Sequence, residues 1–423
     1  MKTIIKLTLV AAILAITSTI EAQNNRNLDN YRSPDKDGIN VFETPKDSIS
    51  TFDGIKVRIG GASTLQFQAI NHENSGSVPL KEIGDNFNLA TANLDIDVAL
   101  FDGVRMHLRT YLSSRHHPEP YVKGGYLQID NLNFISEGFL AETMKYMTIK
   151  FGHMENNYGD AHFRRSDNAQ AFFNPFVGNY IMDAFNTEVG AEIYVQKDGF
   201  LGMVGATNGK LNQAVNNPET TSPSLLAKLG YDKQINDDLR FRLTGSVYFT
   251  AHTARSFLYS GDRAGSRYYF VMEDVEATSA GNFTSGRFNP SLNNQVTAVM
   301  INPFVKYKGL EFFGMFERSA GKNKATDVEE RVFKQYGAEL LYRFGITENF
   351  YVGGRYNLVS GELVGTLDEI DITRFNLGGG WFMTKNILAK VEYVSQKYDG
   401  FAADNILNEG KFDGLMVEAV ISF

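Results

Sequence analysis

The run Gly410 to Phe423, G-K-F-D-G-L-M-V-E-A-V-I-S-F, changes character at Leu415. From there Leu415, Val417, Ala419, Ile421 and Phe423 are apolar at every second place, while Met416, Glu418, Val420 and Ser422 take the alternate positions. A period of two puts the two sets on opposite faces of a strand. One face is uniformly apolar and the other carries a charge, so the strand divides two different surroundings.

Two homes suit such a strand. It could be the last strand of a soluble sandwich, or it could close a barrel in lipid, where an unpaired edge is not tolerated. The rest of the chain repeats the same alternation, which favours the barrel. The terminal Phe then resembles the assembly signal of outer-membrane β-barrels.

The chain has 423 residues, long for one soluble domain but suited to one large barrel. With no Cys there is neither a disulfide framework nor a thiolate metal site. The 32 Phe and 20 Tyr favour strands, and 39 Gly against 10 Pro supply turns and bulges. A formal net charge of −8 offers no basic face, so nucleic acid is excluded as a partner.

Residues 1–22 read as a secretory signal peptide: Lys2 and Lys6, an apolar run from Leu7 to Ile16, and a small residue at Ala22. That run is shorter than the roughly 20 residues a spanning helix needs. Residues 23–54 are rich in Asn, Asp, Ser and Pro without a period, which predicts a flexible periplasmic segment at the barrel mouth. Residues 55–423 form the predicted barrel.

No window beyond Ile55 is a continuous apolar helix of spanning length, which leaves strands as the spanning solution. Alternating segments begin at Ile55–Ile70 and Phe87–Phe101 and number about sixteen, an all-β transmembrane antiparallel barrel. Asp102-Gly103, Asp198-Gly199, Asn236-Asp237, Lys308-Gly309, Asn349 and Lys385-Asn386 mark tight turns, and longer polar connections alternate with them. This asymmetry predicts short periplasmic turns and long outer loops. Phe134–Lys145 breaks the rule and reads as a short helix or cap. Phe101, Tyr231, Tyr307, Phe344, Tyr398 and Phe423 suit aromatic girdles. Gly378-Gly379-Gly380 marks a bend or a close approach to a neighbouring subunit.

The third outer loop, about 156–185, holds His162, Arg164 and Arg165 with Phe172, Phe173, Phe176 and Tyr180. It is too apolar for a loop in water. It is expected to fold into the lumen and constrict it, with the alternative of a packed cover on the mouth or a subunit contact. The runs G-H-M-E-N-N-Y-G-D-A-H-F-R-R-S-D-N from Gly152, N-P-F-V-G-N-Y from Asn174 and K-V-E-Y-V-S-Q-K-Y from Lys390 resemble the porin-like outer-membrane proteins related to phosphate-selective porins O and P. That resemblance implies a homotrimeric pore for small anionic or general hydrophilic solutes, embedded in outer-membrane lipid of a Gram-negative cell.

The inward-facing charges are mixed, with Arg58, Arg105, Arg109, Lys150, Arg240, Arg242, Arg343, Arg355, Arg374 and Lys390 set against Asp95, Asp97, Asp130, Glu188, Glu192, Glu311, Glu317, Glu339 and Glu392. One sign at the narrowest ring would set ion preference. Arg105, Arg109, His162, Arg164, Arg165, Arg240 and Arg242 are the expected constriction and solute-binding residues; the alternative for each is an ion pair that only holds the wall together. Asp160, His162 and Ser166 lie close in sequence but match no known nucleophile-and-base pattern. His116, His117 and Glu119 could grip a metal, yet Pro118 and the lack of further ligands favour a loop tip. No enzyme activity and no cofactor are expected. The function read here is passive diffusion of small hydrophilic solutes with an anion preference; the alternative is a non-conducting outer-membrane binding or scaffold barrel recognising partners through His252–Asn294.

Overall fold

A computed structural model describes residues 28–113, 120–167, 169–209, 221–261, 266–363 and 369–423. The expected signal peptide and the His116, His117 and Glu119 group lie outside these residues. Sixteen strands run in chain order: β1 Lys56–Glu73, β2 Asn86–Phe101, β3 Val104–Ser113, β4 Tyr121–Ile129, β5 Met147–Glu155, β6 Thr187–Lys197, β7 Phe200–Thr207 and β8 Ser224–Gln234. The second half comprises β9 Leu239–Thr250, β10 Gln295–Tyr307, β11 Leu310–Lys322, β12 Arg331–Phe344, β13 Phe350–Glu362, β14 Glu369–Thr384, β15 Ile387–Asp399 and β16 Lys411–Ser422. Each pairs antiparallel with its sequence neighbours, and β16 closes on β1 with Ala62 opposite Ser422 and Glu73 opposite Lys411. No strand keeps a free edge, as a backbone surrounded by lipid requires.

The two-residue period sets what faces where. On β16, Leu415, Val417 and Ile421 point outward, while Met416, Glu418 and Val420 are buried inside. The same holds on β1, where Val57 and Ile59 are more than half exposed and Gln66 and Gln68 are buried. The apolar faces therefore form an outer belt and do not meet in a shared dry interior. Near the short-turn end the belt carries Phe101, Phe200, Tyr307, Phe344, Phe350, Trp381 and Phe423, all exposed. Phe350 and Trp381 stack with ring centroids 5.7 Å apart. Tyr398, expected in this girdle, is buried within the lumen beside Phe401 instead.

Turn chemistry fits the short end. Asp198 and Gly199 both take positive φ, 55° and 94°, the left-handed pair of a hairpin turn whose twist matches its strands. The 134–145 connection is only partly helical: a single turn, α1, spans Ala141–Met144, and Met144 anchors it while Phe134, Ile135, Phe139 and Leu140 are exposed.

The lumen is filled by the chain's own segments, contrary to the open water-filled passage the sequence suggests. Residues 28–47 of the segment expected to lie loose at the mouth form a strap inside it, and 48–51 stay exposed. Lys36 N–H donates to Lys385 C=O at 2.9 Å, and Ser422 Oγ donates to Pro34 C=O at 2.6 Å. Asn40 Nδ2 bonds Glu311 at 2.7 Å, and Lys46 Nζ bonds the Met147 carbonyl at 2.7 Å. The strap thus touches β16, the β14–β15 turn, β11 and β5 in turn. The described part of the fifth outer loop, 251–261 and 266–294, also sends residues inward, while 274–276 and 278–281 stay exposed: Tyr259 donates to Glu317, Tyr268 to Glu392, and Leu258 and Val271 are buried. A hydrophobic cluster of Tyr158, Ile181, Leu258, Val271, Phe304 and Phe333 lies inside the barrel as a result.

Candidate pore lining and lumen cavities

The third outer loop enters the lumen, as its aromatic content predicts. Wall side chains catch its backbone along the way: Asp160 N–H donates to Asn302 at 2.8 Å, Val177 N–H to Glu392 at 2.8 Å, Ile181 N–H to Asn357 at 2.7 Å and Met182 N–H to Gln335 at 2.9 Å. Buried peptide groups need such partners, and here strand side chains supply what a sheet ladder would have supplied. Lys390 Nζ donates to the carbonyls of Ala171 and Phe176, each at 3.0 Å. Gly378 and Gly380 make room for this packing. A Cβ at Gly378 would come 3.3 Å from the Phe176 ring, and one at Gly380 would come 2.4 Å from the Tyr351 ring. Two of the three glycines thus serve a close approach within the lumen, beside the loop.

Each of the seven residues expected to line the constriction has a carboxylate partner. Arg109 grips Asp95 with two bonds of 2.7 Å, and Arg240 grips Asp232 at 2.8 and 2.7 Å. Arg105 bonds Asp97 at 3.1 Å, and His162 Nδ1 lies 2.6 Å from Glu155. Arg164 reaches Glu311 at 2.8 Å and Glu339 at 3.0 Å, and Arg165 reaches Asp183 at 2.5 Å. Arg242 holds Asp160 through two bonds of 2.8 Å and Glu43 at 2.8 Å. Arg164 and Arg165, expected to project into an open gap, are instead buried to within 3% and 2% exposure. At that depth a bare charge would be costly, and the carboxylates beside them compensate it.

Charge balance tunes these groups. Burial alone would push the Asp160 carboxyl up, but the Arg242 guanidinium and the Lys228 ammonium outweigh it and hold the group below the usual carboxylate range. Glu43 is lowered against its own burial by the same two cations. Burial pulls the Arg164 guanidinium down, yet Glu311 and Glu339 raise it above its ordinary value. Asp160, His162 and Ser166 do not form a nucleophile–base pair. Asp160 is taken by Arg242, His162 by Glu155 and Asn157, and Ser166 Oγ accepts from Asn174.

Two of the spaces among the described residues bear on the site. One, of about 170 Å³, lies against β2–β6 and is lined by Arg32, Arg105, Arg109, Lys150 and His162 among others. The second, of about 600 Å³, opens at the short-turn end and is lined by Lys46, Arg240, Arg242 and Asp232. Five of the seven sequence-predicted residues border one space or the other, whereas Arg164 and Arg165 border neither.

Arg32 and Lys150 are the cations sequence reasoning passed over as solute ligands. Arg32 donates to the carbonyls of Gly38 and Phe163 and lies 3.7 Å over the Phe173 ring, and Lys150 donates to Thr44 Oγ at 3.0 Å. Neither has a carboxylate within ion-pair distance among the described residues. Burial pulls the Arg32 guanidinium down to about 9, with Glu155 opposing. Lys150 was legible as an inward strand residue. Arg32 sits in a segment without any period, so nothing local signalled it.

No protein-family model and no curated protein matches the chain. Among solved structures it is similar to an anion-selective porin from Comamonas acidovorans, at 12% identity with 87% of this chain and 100% of that one covered and a TM-score of 0.55. It is likewise similar to the outer membrane channel DcaP of Acinetobacter baumannii, at 12% identity, coverages of 89% and 99% and a TM-score of 0.53. A third similar structure is the trimer form of OmpT, an outer membrane protein of Vibrio cholerae, at 12% identity, coverages of 88% and 100% and a TM-score of 0.52. At such identities the shared property is the fold, a closed sixteen-strand antiparallel barrel of the outer-membrane kind.

Proposed function

We propose that this chain is an outer-membrane porin through which small hydrophilic solutes diffuse passively, with a preference for anions. The observation that carries the reading is the space against β2–β6, whose wall includes Arg32 and Lys150, two cations outside any ion pair among the described residues. An unneutralised cation in a low-dielectric passage raises local anion concentration. The paired arginines Arg105, Arg109, Arg240 and Arg242 contribute shape and a balanced field, and Arg164 and Arg165 hold the third loop. The likeness to an anion-selective porin supports this preference, and the third-loop motifs support a phosphate-like solute. The trimer form of the similar Vibrio protein supports a homotrimer, and residues 1–22 would direct export.

A non-conducting binding or scaffold barrel is the second reading, favoured by the filled lumen. Planar bilayers separate the two: discrete open-channel steps are expected, and a correctly inserted barrel that stays silent both as wild type and with its lumen segments loosened would refute the pore. In a salt gradient, the reversal potential of Arg32→Ala with Lys150→Ala should move toward zero or cation selectivity. An unchanged potential would remove the assigned anion site.

A further inference from the structure

The two lumen spaces meet at one place. Phe42 and Glu43 line both the inner cavity and the vestibule at the short-turn end, so these strap residues form the wall between them. Resting on the pore reading, we propose that Phe42 and Glu43 are the gate of this passage, and that displacement of the strap tip from Asn40 to Thr44 joins the two spaces into one route.

The way the strap is held supports a movable tip on fixed ends. Its early part is tied by the Lys36 backbone bond to Lys385, and its later part by Lys46 Nζ on Asp130 and Met147. Between them, no backbone group of residues 42–46 bonds to the barrel among the described residues. Apart from the Asn40 carbonyl, which accepts from Arg240 at 2.9 Å, side chains seat the tip. The Phe42 ring lies 5.9 Å from Phe163 and 5.4 Å from Phe304, under the Arg242 guanidinium at 4.3 Å. Glu43 pairs with Arg242 at 2.8 Å and Lys228 at 3.4 Å.

Leaving this seat orphans few charges. Arg242 and Lys228 also bond Asp160 of the third loop, at 2.8 and 3.1 Å, so both cations keep a buried carboxylate after Glu43 departs. Arg164, which donates to Asn40, likewise keeps Glu311 and Glu339. An uncompensated buried cation is what makes most buried pairs costly to break, and Arg242, Lys228 and Arg164 escape that penalty; Lys150 gives up its bond to Thr44 but is only half-buried and faces the inner cavity. Glu43 moves toward the vestibule and regains water. Phe42 supplies the closed state's barrier, since an apolar side chain in a narrow passage excludes water and ions.

The test uses the full-length protein in planar bilayers. Phe42→Ala should raise single-channel conductance by about two-fold or more, because the apolar barrier is removed. The chain has no cysteine, so Asn40→Cys with Glu311→Cys can be bridged by a bifunctional methanethiosulfonate, clamping the tip to β11. Bridging should lower conductance several-fold, and dithiothreitol should restore it. Wild-type, Phe42→Ala and clamped channels that conduct alike would overturn the gate and leave the pore standing. Silence of every variant, Phe42→Ala included, would sink both readings. A silent wild type that opens on Phe42→Ala would support both.

Discussion

Arg164 and Arg32 show how differently two buried guanidinium groups can be used. Arg164 is bound by Glu311, Glu339 and Asn40 at the crossing of strap, loop and wall. Arg164→Ala should cost about 3–5 kcal/mol, because it leaves carboxylates buried beside an empty place. Urea unfolding from lipid vesicles would read this, while the reversal potential of channels that do form should stay near wild type. Arg32 has carbonyl partners and an aromatic shelf, so Arg32→Ala should leave the unfolding free energy in urea within about 1 kcal/mol of wild type while the reversal potential shifts. Opposite outcomes for the pair would exchange their assigned roles.

At the scale of the strand, β14 carries both kinds of constraint. Leu377 lies near its middle and is 55% exposed on the outward face, whereas Asn376 beside it is fully buried in the lumen. Leu377→Arg should cost about 2–4 kcal/mol in a bilayer and little in detergent that adapts to the charge, a difference readable as folded fraction in lipid. Gly380→Ala tests the inner face. Its Cβ would press into the Tyr351 ring, whose hydroxyl donates to Pro175 C=O at 2.9 Å. The expected loss is about 1–3 kcal/mol, with faster proteolytic cutting of the third loop as that anchor gives way. A stable, uncut variant would show that the ring can move aside.

For the molecule as a whole, the filled lumen makes the balance of buried charge a property of the closed state. Asp160 and Glu43 titrate below their ordinary values when folded, so the stabilisation they give is fully present above about pH 4–5. It is lost as pH falls through their depressed folded values. Conductance should therefore hold steady from neutral pH to about pH 5 and rise in more acid solution as the cluster on Arg242 and Lys228 loosens. A flat profile down to about pH 3 would detach these carboxylates from closure.

The sequence by itself determined the barrel. The period of two, the tight turns such as Asp198-Gly199 and the apolar outward positions of β16 are local patterns, and lipid on one side leaves a strand-built chain only closed pairing. It also determined that the third loop is too aromatic for water. Only the tertiary structure decided what fills the interior. Whether Arg105 faces water or Asp97, or whether Phe42 meets solvent or Phe304, depends on residues far apart in the chain. The strap at 28–47 illustrates the reason: composed of turn formers without a period, it carries no secondary-structure signal of its own. Its place comes from wall side chains that need partners once water is excluded.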